Sequence, residues 1–138
     1  MDLPTALAYV SDRNRGVLTT QKRDGRPQLS NVMYGVGDDG VIRVSITADR
    51  AKAKNLARDP RASLHVTAED FWSYVVIEAD AELSPVAAAP DDPTVDELVD
   101  LYRAGAGEHP DWDEFRQAMV SDRRLVVRLH PVHAYGMA

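Results

Sequence analysis

Val41-Ile-Arg-Val-Ser45-Ile-Thr-Ala-Asp-Arg50-Ala-Lys52-Ala-Lys54-Asn55-Leu56 carries a strand through a short turn into a helix. Apolar and polar residues alternate from Val41 to Ile46, the period of a half-buried strand. Asp49 is the expected N-cap, and Pro60 stops the helix soon after Arg58. The charge is out of place. Arg50, Lys52 and Lys54 fall in the first turns, where the macrodipole already presents positive charge, and each uncompensated cation there costs roughly a few tenths of a kcal/mol. A bound phosphate or carboxylate would offset that cost, because free backbone N–H groups at a helix start also point at such a ligand. A solvated basic turn is the competing reading.

The composition narrows the class. A chain of 138 residues with 44% hydrophobic content suits one domain, residues 1–138, with its own core. It contains no cysteine, which excludes disulfides and thiolate metal sites. The first residues lack the basic and apolar regions of a signal peptide, and no run approaches a membrane span, so a cytoplasmic protein without membrane contact is expected. The net charge of −6 argues against a general nucleic-acid binder. That charge is uneven. Arg50 to Arg61 holds five basic residues against one acidic, whereas Asp91 to Glu114 holds nine acidic residues against Arg103 alone. A basic island on an acidic protein points to a discrete anionic small molecule rather than a polyanion.

Working outward, Leu3 to Arg13 is expected as a first helix. Val17–Gln21 follows as a strand, Asp24-Gly25 is a hairpin signal, and Pro27–Val36 is the return strand. Gly37-Asp-Asp-Gly40 makes a second hairpin into the opening strand, so three antiparallel strands form a meander. In the return strand Leu29, Met33 and Asn31 share one face, and Gln28, Ser30, Val32 and Tyr34 the other. Arg61–Thr67 and Trp72–Leu83 read as the fourth and fifth strands. Helices follow from Thr94 to about Tyr102 and from about Asp111 to Ser121. Arg124–Leu129 is the sixth strand, with Pro131–Gly136 as a tail. Six antiparallel strands with inserted helices fit a small Greek-key or split β-barrel, mainly β.

Familiar chemistry is missing. His65, His109, His130 and His133 do not form a metal-ligand pattern, and no metal site is expected. The chain has no G-x-S-x-G elbow, no G-x-G-x-x-G and no Walker A sequence. What remains is the basic turn and the polar strand beside it. Pairing across Gly37–Gly40 would set Gln28–Asn31 next to Ser45 and Ile46. Amide and hydroxyl groups there can meet the edge of a flat heterocycle while Arg50 and Lys52 hold a phosphate-bearing tail. Exposed polar strand residues are the alternative for Gln28 and Asn31, and core or dimer packing is the alternative for Trp72 and Tyr74.

Several motifs in order carry a family likeness: Asp24-Gly-Arg-Pro-Gln28-Leu29-Ser30-Asn31, Ser45-Ile46, Arg50-Ala-Lys52, Asn55-Leu56 and Asp59-Pro-Arg-Ala62. Trp72-Ser-Tyr74, Ala89-Pro-Asp-Asp92, Tyr102-Arg103, Gly107-Glu-His109 and Arg116-Gln-Ala-Met-Val120 extend it over nearly the whole chain. The sequence resembles the pyridoxamine 5′-phosphate oxidase-like split-barrel group, and within it the branch that uses the deazaflavin coenzyme F420. That resemblance implies a six-stranded split barrel forming a homodimer, with two cofactor sites at the subunit interface. It implies that Arg50, Lys52 and Asn55 bind the phosphate and adjoining tail. Gln28, Leu29, Ser30, Asn31, Ser45 and Ile46 would line the ring and linker, with Trp72 near the site. His133 and Tyr135 are candidates to reach a partner's site. The implied activity is hydride transfer from reduced F420 to a small unsaturated or electron-poor substrate; the cofactor delivers the hydride, and no side chain is assigned as catalytic. An FMN-dependent oxidoreductase of the same fold and a non-catalytic F420 carrier are the alternatives.

Overall fold

The structure is a computed structural model that describes residues 1–138. In chain order the elements are α1 Leu3–Ser11, β1 Arg15–Gln21, β2 Pro27–Met33, β3 Gly35–Val36, β4 Ile42–Thr47, α2 Ala51–Arg58, β5 Arg61–Thr67, β6 Tyr74–Leu83, α3 Pro93–Ala106, α4 Trp112–Ser121 and β7 Arg124–Met137. Both glycine turns form as expected, with Gly25 and Gly40 at positive φ (88° and 78°), where a side chain would be strained.

The sheet has seven strands, not six, in the order β2-β1-β5-β6-β7-β4-β3. The difference arises at Tyr34. Its ring turns into the core and its hydroxyl donates to the Val10 carbonyl (2.7 Å), while its backbone N–H donates to Asn14 (3.0 Å). Tied to the end of α1 in this way, Tyr34 interrupts the return strand and splits it into β2 and β3. These neighbours in sequence then occupy opposite ends of the sheet. A sheet whose two edges are joined through one residue must curl until the edges meet, and this produces the split barrel.

Two expectations fail for the same reason. The three-strand meander does not exist, because β2 pairs with β1 while only Gly35 and Val36 pair with β4. Gln28–Asn31 therefore lie opposite Thr20–Val17, and Ser45 and Ile46 lie opposite Val126 and Leu125 of β7. The C-terminal tail is also not separate. It continues the last strand through Pro131, beside a register shift at Glu78/Ala79 where a missing N–H is tolerated.

Alternate residues of each strand point into one core, including Leu18, Val44, Ile46, Leu64, Val66, Ile77, Val127 and Leu129. α3 and α4 cover the outer face of β7 through a second cluster around Leu98, Val99, Phe115 and Val126. The opposite outer face, on β2, β1, β5, β6 and β7, has no such cover and exposes Leu29, Met33, Val132, Tyr135 and Met137.

Candidate functional site

The basic helix forms as Ala51–Arg58, but its cap differs from expectation. Arg50, not Asp49, occupies the N-cap, and it has no side-chain oxygen to offer the first amides. The Asp49 carboxylate accepts from Thr47 instead, which lowers its pKa below the usual value. The other three helices are capped by Asp2, Asp92 and Asp111. α2 thus begins with open N–H groups and no carboxylate over them.

Lys52 is half-buried in the first turn. Burial lowers its pKa, and the nearby Arg50 and then Arg124 lower it further. Arg124 comes from the far end of the sequence. The β4–β7 register sets it opposite Thr47, and its Nη1 lies 3.4 Å from Ser45 Oγ. Its Nε is buried with no hydrogen-bond partner, the nearest carboxylate oxygen being Asp122 Oδ2 at 3.8 Å. A buried N–H without an acceptor is costly unless something arrives to accept from it. Lys52 thus feels the charges of both Arg50 and Arg124, Arg124 reaches Ser45, and the carboxylate that approaches Arg124 stays 3.8 Å away. The donor set suits a phosphoryl group.

The remaining expected residues divide. Leu29 and Asn31 are exposed on the outer face of β2, and Gln28 and Ser30 are half-buried on its other face. β2 is an edge strand, so one row of its backbone N–H and C=O groups is unpaired and open to a ligand. Asn31 also borders a groove of about 400 Å³ with Val17, Met33, His65 and Thr67. Ile46 does not fit its expected role, because its side chain points into the core at 2% exposure. Asn55 does not fit either. It is buried, its amide donates to Thr20 Oγ1 (3.1 Å), and its oxygen accepts from Arg58 (3.2 Å). The amide that the resemblance offers to the cofactor is used to fasten α2 to β1.

Trp72 is 76% exposed and edge-on to Phe71 in the β5–β6 turn. That turn adjoins the Tyr74–Met137 end of the β6–β7 ladder, whereas Arg124 lies beyond the Leu83–Val127 end. Ten strand residues separate the two ends, roughly 30 Å at about 3.3 Å per residue. Within one chain, Trp72 is therefore not near the cations around Lys52.

The sequence reading missed Arg124. The Arg123-Arg124 pair was visible as a charge at a strand start, but nothing local relates it to a helix some seventy residues earlier. The largest cavity, about 930 Å³, lies elsewhere, between the end of α1, β3 and α3. Its two strand arginines, Arg43 and Arg128, are already held by Glu97, so it offers an anion no free cation of that pair. No group of three or more His, Cys, Asp or Glu side chains could hold a metal ion, and no helix is long and apolar enough to cross a membrane.

A family model described as pyridoxamine 5′-phosphate oxidase matches residues 3–138. The chain belongs to that family. Among solved structures it is similar to a conserved hypothetical protein, Rv2991, from Mycobacterium tuberculosis, at 26% identity over 99% of this chain and 84% of that one (TM-score 0.77). An F420 reductase is similar at 22% identity over 92% and 94% of the two chains (TM-score 0.64). The heme storage protein HutZ from Vibrio cholerae is similar at 18% identity over 99% and 95% (TM-score 0.70). The pyridoxamine 5′-phosphate oxidase-like split barrel thus serves differently described proteins, and the side chains of this chain must carry the functional argument.

Proposed function

We propose that this family member is an F420-dependent oxidoreductase acting as a homodimer on a small electron-poor organic substrate. The observation that carries the reading is the crowding of Arg50 and Arg124 around Lys52, with Arg124 on Ser45 and its carboxylate neighbour, Asp122, 3.8 Å away. Arg50 and Lys52 hold the phosphate, and the open edge of β2 from Gln28 to Asn31 meets the flat ring. When bound, the deazaflavin supplies the hydride. The chain's own residues orient it and shield it from water.

A second copy covers the open sheet face, where Leu29 and Met33 on β2 and Tyr135 and Met137 on β7 are exposed. In that arrangement Trp72 serves the partner's site rather than its own. Five basic residues between Arg50 and Arg61 favour the more anionic deazaflavin over FMN. Two of the five are engaged within the chain, since Arg58 donates to Gln21 and Arg61 is held by Asp59. Arg123 and Arg124 add charge at the same end.

The test is a fluorescence titration of purified protein with F420 and, in competition, FMN. Micromolar binding of F420 is expected, and Arg50→Ala with Lys52→Ala should weaken it by roughly ten- to a hundredfold for each side chain removed. Failure of F420 to bind at micromolar protein, or a yellow protein retaining FMN, would overturn the choice of cofactor. Turnover of electron-poor alkenes by protein loaded with reduced F420 separates an enzyme from a carrier. Sedimentation at micromolar concentration should show a dimer, and Leu29→Glu with Met33→Glu should make it monomeric.

A further inference from the structure

We propose that the groove around His65 on the open sheet face is the substrate subsite, and that it takes an α,β-unsaturated carbonyl compound whose oxygen accepts from the His65 ring. The proposal rests on the F420-dependent reading, in which the flat ring of the cofactor meets the edge of β2 up to Asn31. It goes further by naming the substrate class and the side chain that touches it.

The groove follows from the register. Asn31 of β2 and His65 of β5 are both partners of Val17 on β1, so the three stand in one row across the outer face. At about 4.8 Å per strand, Asn31 and His65 lie roughly 10 Å apart with Val17 as the floor, which leaves room for one small flat molecule. The space, about 400 Å³, is of the size that holds a small ligand. On a protein of net charge −6, none of the lining residues is acidic, and Arg15, Asn31, His65 and Thr67 bring donors. Such a set suits an acceptor oxygen rather than a cation.

His65 is held in place. It sits on an interior strand, its ring stacks on Tyr74 (5.4 Å between centroids, 24° between planes), and its Nδ1 lies 3.3 Å from Thr67 Oγ1. With Thr67 donating to Nδ1, the neutral imidazole carries its proton on Nε2 and donates a hydrogen bond from there. Hydride from the reduced cofactor forms a C–H bond at the β-carbon and pushes the alkene's electron pair toward the carbonyl oxygen. The cofactor is oxidised and the carbon–carbon double bond reduced. A fixed donor on that oxygen stabilises the charge as it develops, and a proton from water then reaches the α-carbon.

The experiment uses full-length protein carrying isotope-labelled histidine, with cyclohexenone as the probe and cyclohexene as the control without the oxygen. Cyclohexenone is expected to shift the ring-nitrogen resonances that His65→Gln removes, and cyclohexene to leave them in place. In turnover of cyclohexenone by protein loaded with reduced F420, His65→Ala should lower kcat by about a hundredfold, the scale of one lost oxyanion donor, with F420 affinity unchanged. His65→Gln, whose amide still donates, should recover part of that loss. A cyclohexenone-dependent shift at His65 in protein that takes no F420 would support the groove and sink the cofactor reading. Turnover equal in wild type and His65→Ala, with no such shift, would overturn the proposal and leave the cofactor reading standing. His65→Ala protein that sediments as a monomer while wild type is a dimer would also overturn it, because the ring would then be packing against the second copy. Should His65→Ala fail to fold, the wild-type ring-nitrogen shift decides the question.

Discussion

One face of the β4–β7 ladder carries two groups of cations, and the protein treats them in opposite ways. Arg43 and Arg128 are register partners, so two guanidinium groups stand side by side. Like charges placed opposite each other destabilise a sheet. Here α3 supplies the remedy. Glu97 accepts from Arg43 Nε (2.9 Å), Arg128 Nε (2.9 Å) and Arg128 Nη2 (2.5 Å), while Asp39 takes the rest of Arg43 at 2.9 and 3.2 Å. Farther along the same face, Thr47 pairs with Arg124, which Asp122 approaches only to 3.8 Å, and Arg50 and Arg124 both bear on Lys52. Where the fold needs the charges neutral, the chain provides its own acid. Where it does not, an outside anion can do so. The contrast separates cations that the chain neutralises itself from those it leaves to the proposed ligand.

The largest effect should come from removing the acid. Glu97→Ala leaves two mostly buried guanidinium groups facing each other and also loosens α3 from β4 and β7. A loss of about 3 kcal/mol is expected, toward the low end for breaking a buried pair because both arginines retain some solvent contact. In a chain of this size that lowers the melting temperature by about 10 °C. A loss under about 1 kcal/mol would show that the two clusters are not so different. Next comes Asn55→Ala, which removes two internal hydrogen bonds and leaves Thr20 short of a partner, for about 2 kcal/mol. Chemical denaturation measures both.

The paired cluster also predicts an acid limb. Arg128 first, and Arg43 after it, hold the Glu97 carboxyl below its ordinary value against the opposing effect of burial. Asp39 is held at about 2 by Arg43. A carboxyl with a depressed folded value adds stability that is complete above its unfolded value, about 4.3 for glutamate. That stability drains away as pH falls through the folded value. Glu97→Gln should therefore be less stable than wild type at neutral pH, and the gap should narrow steadily below about pH 4.5. A gap that stays constant down to pH 2 would mean that Glu97 is not the acid holding the arginines.

Much of this was legible in the sequence, and what failed shares one cause. The alternation in β4, the Gly25 and Gly40 turns, the span of α2 and the faces of β2 follow from local periodicity and turn chemistry, which need only neighbouring residues. The break that divides the return strand was hidden because it depends on Tyr34 bonding Val10 and Asn14, and a tyrosine in a β-rich run gives no sign of that. The proposed anion site was half visible. Arg50 and Lys52 announce themselves by lying at a helix start, but Arg124 joins them only through the β4–β7 register. Asn55 looked available because nothing in its surroundings names Thr20 as a partner. Ile46 turns its side chain inward, because a strand's alternation, once Ser45 faces outward, sends its neighbour into the core.

The smallest effect gives the sharpest test of the contrast, because its sign is unusual. Removing a charged side chain from a folded protein ordinarily costs something or nothing. Lys52 is half-buried beside Arg50 and Arg124, and its pKa is lowered. A base whose folded value lies below its unfolded value binds protons less readily when folded. It therefore detracts from stability at neutral pH, and the penalty fades as pH climbs toward the ordinary lysine value near 10.4. Lys52→Met removes the charge and keeps nearly the same helix propensity and stem length. Without ligand, that variant should melt at or about 1 °C above wild type. The difference should shrink in high salt, where repulsion among the three cations is screened. With phosphate present the order should reverse, since only wild type gains the binding energy. If Lys52→Met melts several degrees lower without any anion, then Lys52 has a partner inside the chain. The α2 end of the ladder would then be as self-sufficient as the Glu97 end.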